Sequence, residues 1–178
     1  MHESLVQIVL QALKEQYTSE KAFYTSQLGI SPQSWDRWKK GQQGLKAENM
    51  KKVAALFTDY EWMMVQKVCR NALLITEVRM NPVSEYMNMK YFVAKKWLSA
   101  GIATIGFQKD FTEEEEANGR KTNQTILRIE THYDFWSYTD RIELRLPGIV
   151  QQQIQTEKQD LLEWFGQHVE NRYPMHNV

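Results

Sequence analysis

The sequence predicts an α+β fold: an N-terminal helical helix-turn-helix domain, then a helix, a small three-stranded antiparallel sheet and a C-terminal helix. Three observations predict it. Apolar residues recur at helical spacing from Leu5 to Leu98, and the period then changes to two between Ile102 and Leu146. The stretch Gly29–Gly41, GISPQSWDRWKKG, carries the turn and second helix of a helix-turn-helix. A helical pattern returns after Thr156, which pairs with Gln159 as a capping box.

Taken in order, Leu5, Ile8, Val9, Ala12 and Leu13 give the first helix. Thr18 or Ser19 caps a second, SEKAFYTSQL. Gly29 suits the positive φ that ends a helix. Ser31 then caps the third helix, Pro32 fits its first position where no N–H is needed, and Gly41 stops it. Trp35 and Trp38, three apart, both point inward and leave Arg37, Lys39 and Lys40 outside. Ala47 to Phe57 reads as a fourth helix. Thr58 or Asp59 caps a long fifth one, to about Arg79, with Pro82 beyond it. That helix is apolar nearly all round, so it is expected to be a central strut or part of a dimer interface. Ser84 caps a further helix from Glu85 to about Ala100, stopped by Gly101.

Ile102–Phe107 is strand-like. Residues 110–123, with Glu113, Glu114, Glu115 and Glu116, read as a solvated loop. Leu127, Ile129, Thr131, Tyr133 and Phe135 alternate with polar residues, as do Ile142, Leu144 and Leu146, making a hairpin with its link near 136–140. The last helix runs from Thr156 to about Arg172 with Leu161, Leu162, Trp164, Phe165 and Val169 inward. The expected organisation is a helical domain over 1–80 and an α+β domain over 81–178, joined into one body if the helix 59–79 is continuous.

Composition narrows the function. With 42% hydrophobic residues and six Trp, the chain can bury a core. Its formal net charge of zero supplies no overall field toward nucleic acid or membrane. Residues 1–80 nevertheless carry 11 Lys and Arg against 8 Asp and Glu, and residues 81–178 carry 11 against 14. The stretch 31–52 is locally basic, with six cations against Asp36 and Glu48. Cys69 is the sole cysteine, so neither an intrachain disulfide nor a cysteine metal cluster is expected. A free thiol and eight Met suit a reducing cytosol. The N-terminus lacks the basic start and cleavage site of a signal peptide, and no apolar run reaches membrane-spanning length.

Nucleotide-binding, zincin and nucleophile-elbow motifs are missing. The histidines, His2, His132, His168 and His176, are scattered. His132 and Asp134 share a strand face, which a charged outer sheet surface explains most simply. No catalytic residue, metal or cofactor is therefore expected. Binding chemistry is better represented. Gln33 and Ser34 lie near the start of the third helix, where base readers sit; Arg37 suits guanine, and Lys39, Lys40, Lys46, Lys51 and Lys52 suit phosphates. Two features oppose this. Pro32 occupies a reading position, and Tyr24-Thr25 stands where such motifs pack small residues. The acidic run Glu113–Glu116 is either a solvated loop or a lure for a basic partner surface.

GISPQSWDRWKKG is similar in register to the Xre/Cro-type repressor motif G-I-S-x-x-[ST]-[IV]-x-x-W-E-x-G, with Trp35 replacing the β-branched residue and Lys39 the Glu. That resemblance covers about residues 18–58. A second one covers nearly the whole chain. Tyr17, Glu20 with Phe23-Tyr24, Gly29-Ile30, SWDRWKKG at 34–41, LFTDYEWMMVQKVCRN at 56–71, KKWL at 95–98 and LLEWFGQHVENRY at 161–173 resemble a family of phage anti-CRISPR proteins. These inhibit the single-chain RNA-guided nuclease of type II-A systems. The strand region and the acidic loop lie outside the match.

The resemblance implies a homodimer in the cytoplasm of an infected or lysogenic bacterial host. It also implies binding to the nuclease–guide RNA complex, so that target DNA or its PAM is not engaged productively. The alternative is a transcriptional regulator of a phage or mobile element that binds promoter DNA through the third helix. Neither reading calls for a membrane.

Overall fold

The computed structural model describes residues 1–108, 113–122, 124–133 and 137–147. Among them the order is α1 (His2–Gln16), α2 (Glu20–Phe23), a π-helical turn (Tyr24–Leu28), α3 (Pro32–Lys39), α4 (Ala47–Ala54), α5 (Asp59–Asn71), α6 (Thr76–Met80), α7 (Pro82–Ser99), β1 (Ala103–Phe107), α8 (Glu113–Ala117), β2 (Gln124–Thr131) and β3 (Arg141–Pro147). The fold is thus mixed α+β, with helices concentrated toward the N-terminus and one three-stranded antiparallel sheet. The C-terminal helix expected after Thr156, with His168 and His176, lies outside the described residues.

Two compact units form. The first comprises residues 1–83 with the described part of 110–122; the second comprises the described parts of 84–109 and 123–178. The core of the first unit is aromatic. Tyr17 meets Phe23 edge-on at 5.1 Å, and Phe23 and Tyr24 flank Trp35 at 6.2 and 6.0 Å. Trp35 stacks on Trp38 at 4.6 Å, a pairing worth about 0.5–1.5 kcal/mol beyond its area. Ile8, Val9, Leu13, Val53, Val65 and Val68 are among the other buried side chains.

The local signals around the turn behave as their chemistry requires. Ser19 Oγ accepts the Ala22 amide at 3.0 Å and Ser31 Oγ accepts the Ser34 amide at 3.2 Å. Gly29 adopts φ 62° and ψ 34°, and Gly41 ends α3 at φ 68°. The helix before the turn is not a regular α-helix. It opens into a π turn at Tyr24, whose carbonyl accepts from the amides of Gly29 and Ile30. The wider turn seats bulky Tyr24 beside Trp35.

The single helix expected over 59–79 is in fact two. Thr58 and Glu61 close a capping box at its start, as the sequence suggests. At the far end the amides of Leu74 and Ile75 both donate to the Asn71 carbonyl, and Ile75 takes an extended backbone at φ −114°, ψ 113°. β-Branched Ile75 is at ease there. One face of α5 is buried, through Met64, Val65, Val68 and Cys69, but Met63, Leu73, Leu74 and Ile75 are exposed. Within the single chain these residues are uncovered. Helix α4 stops at Ala54 rather than Phe57, and α7 begins at Pro82 rather than after Ser84.

In the second unit the strand order is β1-β2-β3. The register pairs Ile105 with Ile129, Ile129 with Ile142 and Leu127 with Leu144. Leu127, Ile129, Ile142 and Leu144 are buried on that face. On the other, Arg128 pairs Glu143 at 3.0 Å, Arg145 pairs Glu143 at 2.8 Å and Arg141 pairs Glu130 at 2.6 Å. Strand β2 ends at Thr131, so Tyr133 leaves the alternation and is exposed. Phe135, Trp136 and Asp134 lie outside the described residues. Lys90 of α7 is buried and donates to the Glu143 carbonyl at 2.6 Å.

Candidate functional site

Helix α3 is held from beneath, and this decides what its outer face offers. Trp35 Nε1–H donates to Glu20 Oε2 at 2.8 Å, and Lys39 Nζ donates to the same oxygen at 3.0 Å. Lys39 also pairs with Asp36 at 3.2 Å, one turn earlier on its own helix. Partial burial works to lower the Lys39 pKa, but the bonds to Glu20 and Asp36 outweigh it and hold the ammonium above the ordinary lysine value. At the other end His2 Nε2 lies 2.7 Å from the Trp38 carbonyl, and its ring meets Trp38 edge-on at 5.8 Å. The same carbonyl accepts the Gly41 amide at 2.9 Å, so His2 adds a second contact to the last turn of α3.

The five residues expected on the binding face therefore divide. Gln33, Arg37 and Lys40 are exposed. Ser34 is half-buried and its hydroxyl is engaged with Ser31 at 3.1 Å, so it belongs to the cap. Lys39 is half-buried, and its ammonium is paired with the Glu20 and Asp36 carboxylates. Among the lysines of the neighbouring elements, Lys46, Lys51 and Lys52 are exposed or at the surface edge, and Lys52 Nζ donates to the Gln27 carbonyl at 2.6 Å.

The acidic run departs from the expected loop. Glu113–Ala117 is a helical turn, not an irregular loop, with Glu114 and Glu116 exposed and Glu115 half-buried. The residues that follow it dock on the helix-turn-helix. Gly119 O accepts the Thr18 amide at 3.0 Å, Lys121 N–H donates to Gln16 O at 2.8 Å, and Asn118 O accepts Ser26 Oγ–H at 3.1 Å. Arg120 stacks its guanidinium 5.0 Å from the Tyr17 ring centre and donates to Gln16 Oε1 at 3.1 Å. In chain order this segment falls between β1 and β2, yet it belongs to the first unit and serves as a clip on its helices.

Sequence reasoning missed both the clip and the organising role of Glu20. Asn118-Gly119 is a turn signal, but nothing in it names its docking partner. Glu20 lies 15 positions from Trp35, outside any helical period.

Cys69 is buried, and that burial pushes its thiol pKa up. It lines an apolar groove of about 310 Å³ with Leu5, Met50, Trp62 and Val65. His132 is exposed, 3.5 Å from Thr104 Oγ1. No group of three or more His, Cys, Asp or Glu among the described residues is arranged to hold a metal ion. Among the same residues no helix is long and apolar enough to cross a membrane.

Comparison with family models, curated proteins and solved structures finds no match.

Proposed function

We propose that this chain is a non-enzymatic inhibitor of the phage anti-CRISPR kind. In this reading it acts as a homodimer that binds a guide-loaded type II-A nuclease and prevents productive engagement of target DNA or its PAM. One observation supports it above the rest. Separate stretches on which the resemblance rests come together in space: Tyr17, Glu20, Phe23, Tyr24, Trp35, Trp38 and Lys39 form one interlocked cluster. A resemblance scattered along the helical half thus becomes a single packed unit, which supports common architecture over chance matches. Inhibition needs no chemistry, because PAM binding precedes heteroduplex formation and blocking it silences the nuclease. The test is cleavage of a PAM-bearing duplex by purified guide-loaded type II-A nucleases at rising inhibitor concentration. Undiminished cleavage by several such nucleases at excess protein rules the reading out.

A second reading is favoured by the exposed trio Gln33 and Arg37 on α3 and Lys40 at its C-cap: a regulator that binds promoter DNA. Its mark is a sequence-specific footprint whose affinity falls steeply with salt. The pinned state of Lys39 weakens this reading by removing one cation from the groove-facing set.

A further inference from the structure

The corner between α5 and α6 exposes four large apolar side chains within eight residues. Leu73 is 60% exposed, Leu74 88%, Ile75 44% and Met80 71%. Scattered exposed apolar residues are ordinary, but a contiguous tip marks an interaction surface. The tip is not a frayed helix end. The amides of Leu73, Leu74 and Ile75 donate to Arg70 and Asn71 carbonyls at 3.1, 2.9 and 2.8 Å, and Val78 anchors α6 in the core. Its shape is therefore set before binding, which lowers the ordering cost of a contact.

The rim identifies the occupant. Residues 67–80 carry Lys67, Arg70 and Arg79 against Glu77 alone. All three cations are exposed, and none has an ion-pair partner among the described residues. A two-fold contact whose axis runs through the corner would bring these cations together. An anionic lipid surface would meet one short tip and three cations, a single marginal anchor. A protein cleft with an apolar floor and an acidic rim satisfies both features at once.

We infer that Leu73, Leu74 and Ile75 form the anchor that inserts into an acid-rimmed apolar cleft on the target protein, with Lys67, Arg70 and Arg79 steering the approach. This rests on the inhibitor reading above, in which that protein is the guide-loaded nuclease. The surface is distinct from the exposed face of α3.

The test compares the full-length protein with Leu74→Asp and Leu73→Ser in binding to immobilised guide-loaded type II-A nuclease. Melting curves and light scattering are recorded for each. The side chains are exposed, so both variants are expected to keep the wild-type melting temperature and mass. Loss of a buried anchor predicts a Kd at least about 30-fold weaker for Leu74→Asp. The charge reversal Arg70→Glu with Arg79→Glu slows association and flattens its salt dependence. If the wild type binds and the folded variants bind equally well, the anchor is overturned while the inhibitor reading stands. If the wild type itself does not bind, both fall. Conversion of a wild-type dimer to a monomer by Leu74→Asp assigns the corner to a second copy and overturns the proposal. So does wild-type binding to phosphatidylcholine–phosphatidylserine vesicles that Leu74→Asp abolishes.

Discussion

Removing the Glu20 carboxylate should loosen the helix-turn-helix from within. Its Oε2 accepts from Trp35 Nε1 at 2.8 Å and from Lys39 Nζ at 3.0 Å. Trp35 is only 1% exposed, so Glu20→Ala leaves a buried donor without its partner, which costs about 1–3 kcal/mol. The lysine arm is worth less. Its side chain is 27% exposed and that of Glu20 42%, so the pair contributes about 0.2–1 kcal/mol, and Lys39 keeps Asp36. Together these give about 1–4 kcal/mol for Glu20→Ala and under about 1 kcal/mol for Glu20→Gln, which retains an acceptor for Trp35. In a chain of this size that corresponds to a Tm lower by about 2–16 °C for the alanine variant. Urea titration followed by tryptophan fluorescence and far-UV circular dichroism measures it. Repeating the substitution in a Trp35→Phe background, where the indole N–H is gone, should recover about 1–2 kcal/mol of the effect. An alanine variant as stable as the glutamine variant would refute the argument, and so would a loss undiminished in the Trp35→Phe background.

Other expectations follow from the same geometry. Gly119 sits at φ 78°, and a Cβ there would lie 2.6 Å from Ala22 Cβ; Gly119→Ala should cost about 1–3 kcal/mol and raise hydrogen exchange at Thr18 and Lys121. If the chain binds promoter DNA, Arg37→Ala with Lys40→Ala should cut the salt slope by about one unit per lost phosphate contact, while Lys39→Ala leaves it nearly unchanged; gel shifts at several salt concentrations decide between them. The Lys39 pairing stabilises the fold fully up to the ordinary lysine pKa and is lost as pH rises through the raised folded value. The stability gap between wild type and Lys39→Ala should therefore close only in strong alkali, as checked by urea midpoints against pH. Buried Cys69, with its pKa raised, should resist iodoacetamide at neutral pH and react far faster in denaturant, as measured by mass spectrometry.

Elements with local causes were legible in the chain itself. Ser19, Ser31 and Thr58 cap helices through side chains three residues from their targets, and Gly29 and Gly41 supply backbone conformations other residues resist. Alternation in β2 and β3 fixed the buried face through Leu127, Ile129, Ile142 and Leu144. The inward Trp35 and Trp38 followed from helical period alone.

What remained was set by packing, because it depends on contacts no period encodes. The break at Leu73–Ile75 is one case: apolar composition continued the helix on paper, while the chain buried a single face of α5 and left the corner in solvent. The clip at 118–121 is another, joining residues about a hundred positions apart. Lys39 is a third case. Its sequence neighbours mark it as an outer-face cation, but Glu20 and Asp36 converge on it from two helices. Charge read along a chain counts cations; only the fold shows which of them are already paired.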